Sequence, residues 1–131
     1  MKWGREESEW QELVEATGQF LAEQARLARL TTYTEVNTVL HQRTGHRRFD
    51  FNQDRERAAL GAILGEVATE KLAGVGALIS SIVVYLGQND AGPGFFRLAS
   101  SLGLLTPKPT ADQKLEFWAE QVKRTHDHYS R

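Results

Sequence analysis

The feature that most constrains the fold is a single short segment of strand-like composition in a chain whose other patterned segments are helical. Residues 77–85 are rich in Ile and Val and lie between Gly76 and Gly87. Short runs rich in β-branched residues favour a buried strand. A strand needs a neighbour for its backbone amides and carbonyls. We therefore predict a strand at 77–85, with residues 45–53 as the first candidate for its partner.

Both ends of the chain carry the three- and four-residue apolar spacing of amphipathic helices, which bury one face and expose the other. In residues 5–30 the apolar residues at this spacing include Trp10, Leu13, Val14, Phe20, Leu21, Ala25 and Ala28. In residues 110–129 they include Leu115, Trp118, Ala119, Val122 and Tyr129. We predict a long first helix and a long last helix, the last one capped by the Thr110 hydroxyl.

The middle of the chain predicts shorter helices. Thr32 followed by Glu35 has the spacing of a capping box, which predicts the start of a helix that ends near Gly45. Further helices are predicted over 54–72 and 95–102 from their apolar spacing and flanking turn residues.

Two glycines, Gly61 and Gly65, lie four residues apart inside the predicted 54–72 helix. Glycine in a helix interior costs about 1 kcal/mol relative to alanine. We expect this cost to be offset by close packing of another backbone against that face.

Length and composition indicate one globular domain. The chain has 131 residues, 40% of them hydrophobic and 25% charged, and has no cysteine. We predict a single domain over 1–131 with an α+β, mostly helical fold. Its parts are an N-terminal helix (1–30), a centre with one or more short strands (31–103) and a C-terminal helix (110–131).

The same sequence predicts a cytoplasmic protein with no membrane partner. The first residues lack the apolar segment of a secretory signal, and the apolar run around 77–85 is too short to cross a bilayer. The absence of cysteine excludes disulfides, thiol nucleophiles and zinc–thiolate sites.

Arginine is concentrated in one stretch of a chain whose net charge is only −1. Between positions 41 and 57 lie five arginines, namely Arg43, Arg47, Arg48, Arg55 and Arg57. Guanidinium groups bind phosphate oxygens in a bidentate manner, so the stretch predicts an anion-binding surface. The alternative is that Asp50, Asp54 and Glu56 neutralise these arginines locally.

No combination of residues indicates a catalytic site, a cofactor or a metal. The glycine-rich loop at 87–94 precedes a helix but lacks the Lys and Ser or Thr of a phosphate-binding P-loop. His126 and His128 are two positions apart, so one helix face cannot present both to a metal. Neither Ser80 nor Ser81 has the glycine neighbours of a nucleophile elbow.

Three motifs in the centre resemble a known family. Thr-Thr-Tyr-Thr-Glu-Val at 31–36 is similar to the Thr-Tyr-Gly-Glu-Leu start of the winged-helix domain in O6-alkylguanine alkyltransferases and alkyltransferase-like proteins. Ala-Leu-Gly at 59–61 is similar to the Ala-Val-Gly of that family's recognition helix. The apolar segment 78–84, followed by a glycine loop and a phenylalanine, is similar to its active-site strand. The resemblance covers about residues 31–96.

The resemblance implies a winged-helix-like centre and DNA as a partner. Tyr33 matches the family's tyrosine that contacts a flipped nucleotide, while the family's intercalating arginine aligns with Ala58, one position from Arg57. The family's alkyl-accepting cysteine is missing, and Ser80 or Ser81 stands in its place. A neutral serine hydroxyl is a much weaker nucleophile than a thiolate, so alkyl transfer is excluded.

The order of motifs is also similar to small uncharacterised bacterial proteins of the form Tyr-x-Glu-Leu, Leu-Gly-x-Leu-Leu, Leu-Ser-x-Val-Val and Pro-Gly-x-Gly-Phe-Phe. This second similarity implies no particular function.

We predict a non-enzymatic DNA-binding module in which the 54–72 helix faces a groove of DNA. Its predicted contacts are Tyr33, Arg43, Arg47, Arg48, Arg55 and Arg57. One alternative is a protein-interaction or regulatory module, such as an immunity or antitoxin-like partner. Another is a small enzyme that combines Tyr33 and Ser80 or Ser81 with a histidine. The tryptophans of the two terminal segments leave a homodimer open.

Overall fold

The computed structural model describes residues 1–85 and 91–130, and within these ranges it is an α+β structure dominated by helices. The α-helices are α1 (Glu7–Arg26), α2 (Tyr33–Thr44), α3 (Asp54–Val75), α4 (Pro93–Ser101) and α5 (Ala111–Tyr129). A 3₁₀ helix covers Ile79–Ile82, and the strands are β1 (Thr31–Thr32) and β2 (Val83–Val84). The predicted fold class is confirmed, including the long first and last helices.

The apolar face of α1 forms much of the core. It packs against α2, α3 and α5, and Trp10, Leu13 and Leu21 are almost fully buried. The Trp10 indole N–H donates to Glu66 Oε2 on α3 at 2.8 Å, which satisfies the polar group of an otherwise apolar ring. The helix ends at Arg26, so the predicted stripe member Ala28 is exposed.

Capping residues set the ends of α2. The Thr32 hydroxyl accepts from the Glu35 N–H at 3.0 Å, and Gly45 ends the helix in the left-handed region with φ of 77°. The Glu35 carboxylate accepts from the Thr31 hydroxyl at 2.5 Å. Both predicted ends of the helix are therefore confirmed.

The last helix begins as predicted, because Thr110 and Gln113 form a complete capping box. Of the predicted apolar face, Trp118, Val122 and Tyr129 are partly buried against the core, whereas Leu115 and Ala119 are exposed. The most buried residues of α5 are the polar Gln121 and Thr125. The Gln121 Oε1 accepts from the Leu78 N–H at 2.7 Å, which satisfies this side chain inside the protein.

The prediction of a strand over 77–85 was wrong in length and partner. Residues Ile79–Ile82 coil into a 3₁₀ helix, and only Val83–Val84 is extended. The partner is β1, in parallel register with Thr31 opposite Val83, and not the loop at 45–53. A backbone carbonyl of the segment is hydrogen-bonded by a side chain of α5: the Trp118 indole N–H donates to Ser81 O at 2.8 Å. These side-chain contacts replace a strand ladder.

The expected backbone packing against Gly61 and Gly65 was also wrong. A Cβ atom at Gly61 would meet nothing within 4 Å, and one at Gly65 would meet only the Leu98 side chain at 3.9 Å. Both glycines lie beside an open groove between α3 and α4. Their missing side chains therefore leave space for that groove.

Among the residues that the structure describes, no helix has both the length and the apolar character that crossing a bilayer requires. The single-domain assignment and the winged-helix-like arrangement of the centre stay predictions.

Candidate nucleic-acid interface

The loop that joins α2 to α3 is held firmly although it has no regular structure. The Asn37 side chain donates to Phe49 O at 2.9 Å and accepts from Phe49 N at 2.8 Å, as a neighbouring strand would. The His46 carbonyl lies 2.8 Å from His41 Nδ1. The Phe49 ring is buried, which anchors the loop to the core. The loop therefore gives Arg47 and Arg48 fixed backbone positions.

A buried arginine near the N-terminus also holds this loop. The Arg5 side chain is fully buried, pairs with Glu9 at 2.5 Å and donates to the carbonyl oxygens of Arg47 at 3.0 Å and Arg48 at 3.4 Å. Its guanidinium lies 4.1 Å from the centre of the Phe49 ring. The side chains of Arg47 and Arg48 are exposed.

Two of the predicted arginines converge beside Gly4. A Cβ atom at Gly4 would lie 3.8 Å from Arg55 Nη2 and 3.9 Å from Arg47 Nη2. Arg47 also pairs with Glu56, Nη1 to Oε1, at 2.7 Å, yet its side chain is still 55% exposed. We call Arg47 and Arg55 the arginine pair. Arg47 pairs with Glu56, whereas Arg55 has no ion pair within residues 1–85 and 91–130, so one of the two charges is not neutralised by an ion pair there.

Arg48 and Arg55 are the two predicted arginines with no ion pair to a carboxylate within residues 1–85 and 91–130. Both side chains are exposed. Arg55 also lies in the first turn of α3, where the partial positive charge of the helix dipole disfavours a cation and favours an anion. Asp54 and Glu56 lie in the same turn and suit this end of the helix, but they pair with Arg57 and Arg47 rather than with Arg55.

Arg43 is directed elsewhere. It forms two hydrogen bonds with the Glu23 carboxylate on α1, at 2.9 and 2.7 Å, and lies over the Phe20 ring. The hydrogen bonds from Arg43 hold the pKa of Glu23 below its ordinary value, and the same contacts raise the pKa of Arg43. Arg43 therefore links α1 to α2 and is neutralised by Glu23, which is not one of the three carboxylates that the alternative interpretation named. The pairing that this alternative expected is present for Arg47 with Glu56 and for Arg57 with Asp54.

Arg57 lies on another side of α3 from Arg55, because two positions correspond to about 200° around a helix. It pairs with Asp54 and donates to Phe51 O. Its side chain lines the groove between α3 and α4. Of the five predicted arginines, Arg43 thus pairs with α1, Arg57 lines the groove, and Arg47 and Arg55 both lie beside Gly4. Arg48 is exposed on the loop.

The groove between α3 and α4 holds the remaining predicted residue, Tyr33. Its ring stacks on Tyr85 with centroids 4.8 Å apart, and its hydroxyl donates to Ala91 O at 2.9 Å. The groove has a volume of about 560 Å³. Its polar and small lining residues include Tyr33, Arg57, Gly61, Gly65, Ser80, Tyr85 and Arg97. Aromatic faces beside guanidinium groups suit a planar or anionic ligand.

The residues considered for catalysis do not form a catalytic set. Ser80 lines the groove, but no histidine lines it among the residues described. Ser81 is fully buried, and His46 pairs with Glu12. The described part of the chain also contains no group of three or more His, Asp or Glu residues suited to a metal ion.

Part of the glycine-rich loop, residues 87–90, lies outside the described residues. The described Gly92 has a φ of 85°, and a Cβ atom there would collide with the Tyr85 ring. Gly92 is therefore required for the turn into α4, which begins at Pro93.

Sequence reasoning missed four contributors to these surfaces. Arg5 and Asn37 position the loop at 45–53, and Tyr85 and Arg97 line the groove. The spacing of Arg5 and Glu9 was a usable signal, since opposite charges four apart pair on a helix. Nothing in the sequence indicated that this pair would be buried or would bind a loop more than forty positions away.

Comparisons with protein-family models, with curated proteins and with solved structures found no match.

Proposed function

We propose that this chain is a non-enzymatic DNA-binding module whose phosphate contacts come from the loop at 45–53 and the start of α3. The observation that carries the proposal is that Arg47 and Arg55 both lie beside Gly4, and that Arg55 has no ion pair within the described residues. Like charges at this spacing repel each other, and a phosphate between them would remove the repulsion.

The hydrogen bonds that hold the loop at 45–53 favour a binding role for the arginine pair over a chance grouping of charges. Arg5 and Asn37 hold the loop by its backbone groups, so the exposed guanidinium groups are positioned before a ligand arrives. A preorganised contact loses less conformational entropy when it binds. Arg48, which adjoins the pair in sequence, adds a further exposed cation.

The groove between α3 and α4 supplies a second part of the proposed interface. Tyr33 and Arg57 both line it, and the family resemblance assigns Tyr33 a contact with a flipped nucleotide. In this proposal the arginine pair binds the backbone while the groove accepts a planar part of the ligand. Arg43 has no role in binding, because Glu23 already neutralises it.

The test is a titration of a short fluorescent duplex in low salt. We expect binding by the wild type, and binding about tenfold weaker in the double variant Arg47→Ala/Arg55→Ala, which removes two phosphate contacts. The control is Arg29→Ala/Arg124→Ala, which also removes two exposed arginines; Arg124 is 58% exposed and pairs with the half-exposed Glu120. Binding of neither a duplex nor a single strand by the wild type, or equal losses in both double variants, would refute the proposal.

A further inference from the structure

The N-terminus forms a tight turn that is unusual in its sequence. Lys2 and Arg5 exchange two backbone hydrogen bonds of 2.9 and 3.0 Å. The two residues between them, Trp3 and Gly4, have φ values of 55° and 78°. A two-residue turn with both φ values positive favours Asn-Gly, because bulky side chains are disfavoured in the left-handed region. Glycine fits this geometry, whereas tryptophan does so against its preference.

The strained residue is also the most exposed of the three tryptophans. Trp3 is 37% exposed, Trp10 is 2% exposed, and Trp118 is half-buried and donates to Ser81 O. Arg5 is the last residue of the turn that carries Trp3. The fully buried Arg5 side chain holds this turn against the loop at 45–53. The indole is thus presented from a rigid support. Backbone strain retained at a solvent-exposed aromatic residue is typical of functional sites.

The charges beside this turn define the kind of ligand. Arg47 and Arg55 converge on Gly4, the residue that follows Trp3. The turn that carries the exposed Trp3 also places Gly4 beside two guanidinium groups. An aromatic ring and cations carried on one turn and its neighbours match the chemistry of single-stranded nucleic acid, whose bases stack on aromatic rings while cations bind its backbone. In a duplex the faces of the bases are covered by their neighbours, so an indole has no such face to contact.

We propose that Trp3 is a stacking platform for an unpaired base, with the arginine pair on the flanking phosphates, so that the chain binds single-stranded DNA through this surface. The inference rests on the proposed DNA-binding function and adds the class of substrate. It also assigns the N-terminal turn a role in binding that is separate from the groove between α3 and α4.

The experiment compares a labelled oligothymidylate with a duplex of equal length, using anisotropy of the label. Trp3→Asn removes the ring and keeps a residue that the left-handed turn accepts. Trp3→Phe keeps an aromatic face. We expect Trp3→Asn to bind the single strand about tenfold more weakly and the duplex as the wild type does, and Trp3→Phe to retain most of the single-strand affinity. Circular dichroism of each variant checks that the fold is retained.

Tryptophan emission provides a second readout. In the wild type the single strand should quench the indole emission, and in Trp3→Phe that quenching should be lost while binding persists.

The two proposals fail in different ways. If Trp3→Asn binds the single strand like the wild type while Arg47→Ala/Arg55→Ala weakens both ligands, the stacking role is refuted and DNA binding stands. If the wild type binds neither ligand in low salt, both proposals are refuted. A change in oligomeric state caused by Trp3→Asn without a change in binding also refutes the stacking role, since the ring would then contact a second copy.

Discussion

At the scale of single residues, the partner of each arginine decides what that arginine can do. Arg43 gives both of its terminal nitrogens to Glu23, so little of its charge is available to a ligand. Arg55 lies at the positive end of α3 and has no ion pair in the described part of the chain. Arginine therefore has a structural role at position 43 and is available for binding at position 55.

The Glu23–Arg43 ion pair predicts a pH dependence of stability. Hydrogen bonds from Arg43 lower the pKa of Glu23 in the folded state. Its contribution is therefore complete above the pKa of the unfolded chain and is lost as the pH falls through the lower, folded value. The pair is exposed, so the contribution is below about 1 kcal/mol. Glu23→Gln should lower the Tm at neutral pH and leave it nearly equal to that of the wild type in strong acid.

Thermal unfolding followed by circular dichroism from neutral to acid pH measures this effect. Glu116→Gln serves as the control, because Glu116 is exposed and forms no ion pair within residues 1–85 and 91–130. An identical pH profile for both variants would contradict the assignment.

At the scale of elements, the loop at 45–53 depends on side chains that come from other parts of the chain. Arg5 from the N-terminal turn and Asn37 from α2 satisfy backbone groups of the loop. Removing Arg5 leaves the carbonyls of Arg47 and Arg48 without this donor and the Glu9 carboxylate without its cation. Both the loop and the turn depend on this one side chain.

We therefore predict that Arg5→Met lowers the free energy of unfolding by about 2 kcal/mol, since hydrogen bonds from a charged donor are worth that much when buried. Methionine keeps an apolar side chain against Phe49. Urea denaturation measures the change, and Arg29→Met, at an exposed arginine, should change stability by less than about 0.5 kcal/mol. Equal, small effects of both substitutions would show that Arg5 does not support the loop.

The same scale shows where sequence patterns succeed and where they fail. Local signals placed helix ends well, because Thr32, Gly45 and Thr110 act on their immediate neighbours. The β-branched run at 77–85 correctly indicated burial but not conformation. Its backbone partners are Trp118 and Gln121, and contacts more than thirty positions away leave no periodic signal in the sequence.

At the scale of the whole molecule, the chain brings its N-terminal turn, its central loop and the start of α3 to one surface. The sequence predicted which arginines to consider, but their distribution depended on tertiary partners. Arg43, Arg47 and Arg57 each pair with a carboxylate, namely Glu23, Glu56 and Asp54. Of these three, Arg47 lies with Arg55 beside Gly4. The groove was hidden for a related reason: Tyr33 and Tyr85 are distant in sequence and stack only in the fold.

The measurement that tests the central claim most directly is the salt dependence of DNA binding by the wild type and by Arg47→Ala/Arg55→Ala. Each phosphate contact contributes about −0.9 to the slope of the logarithm of the binding constant against the logarithm of salt concentration. We predict that the double variant has a slope smaller in magnitude by about two. Equal slopes for the two proteins would contradict the claim that the arginine pair binds phosphate.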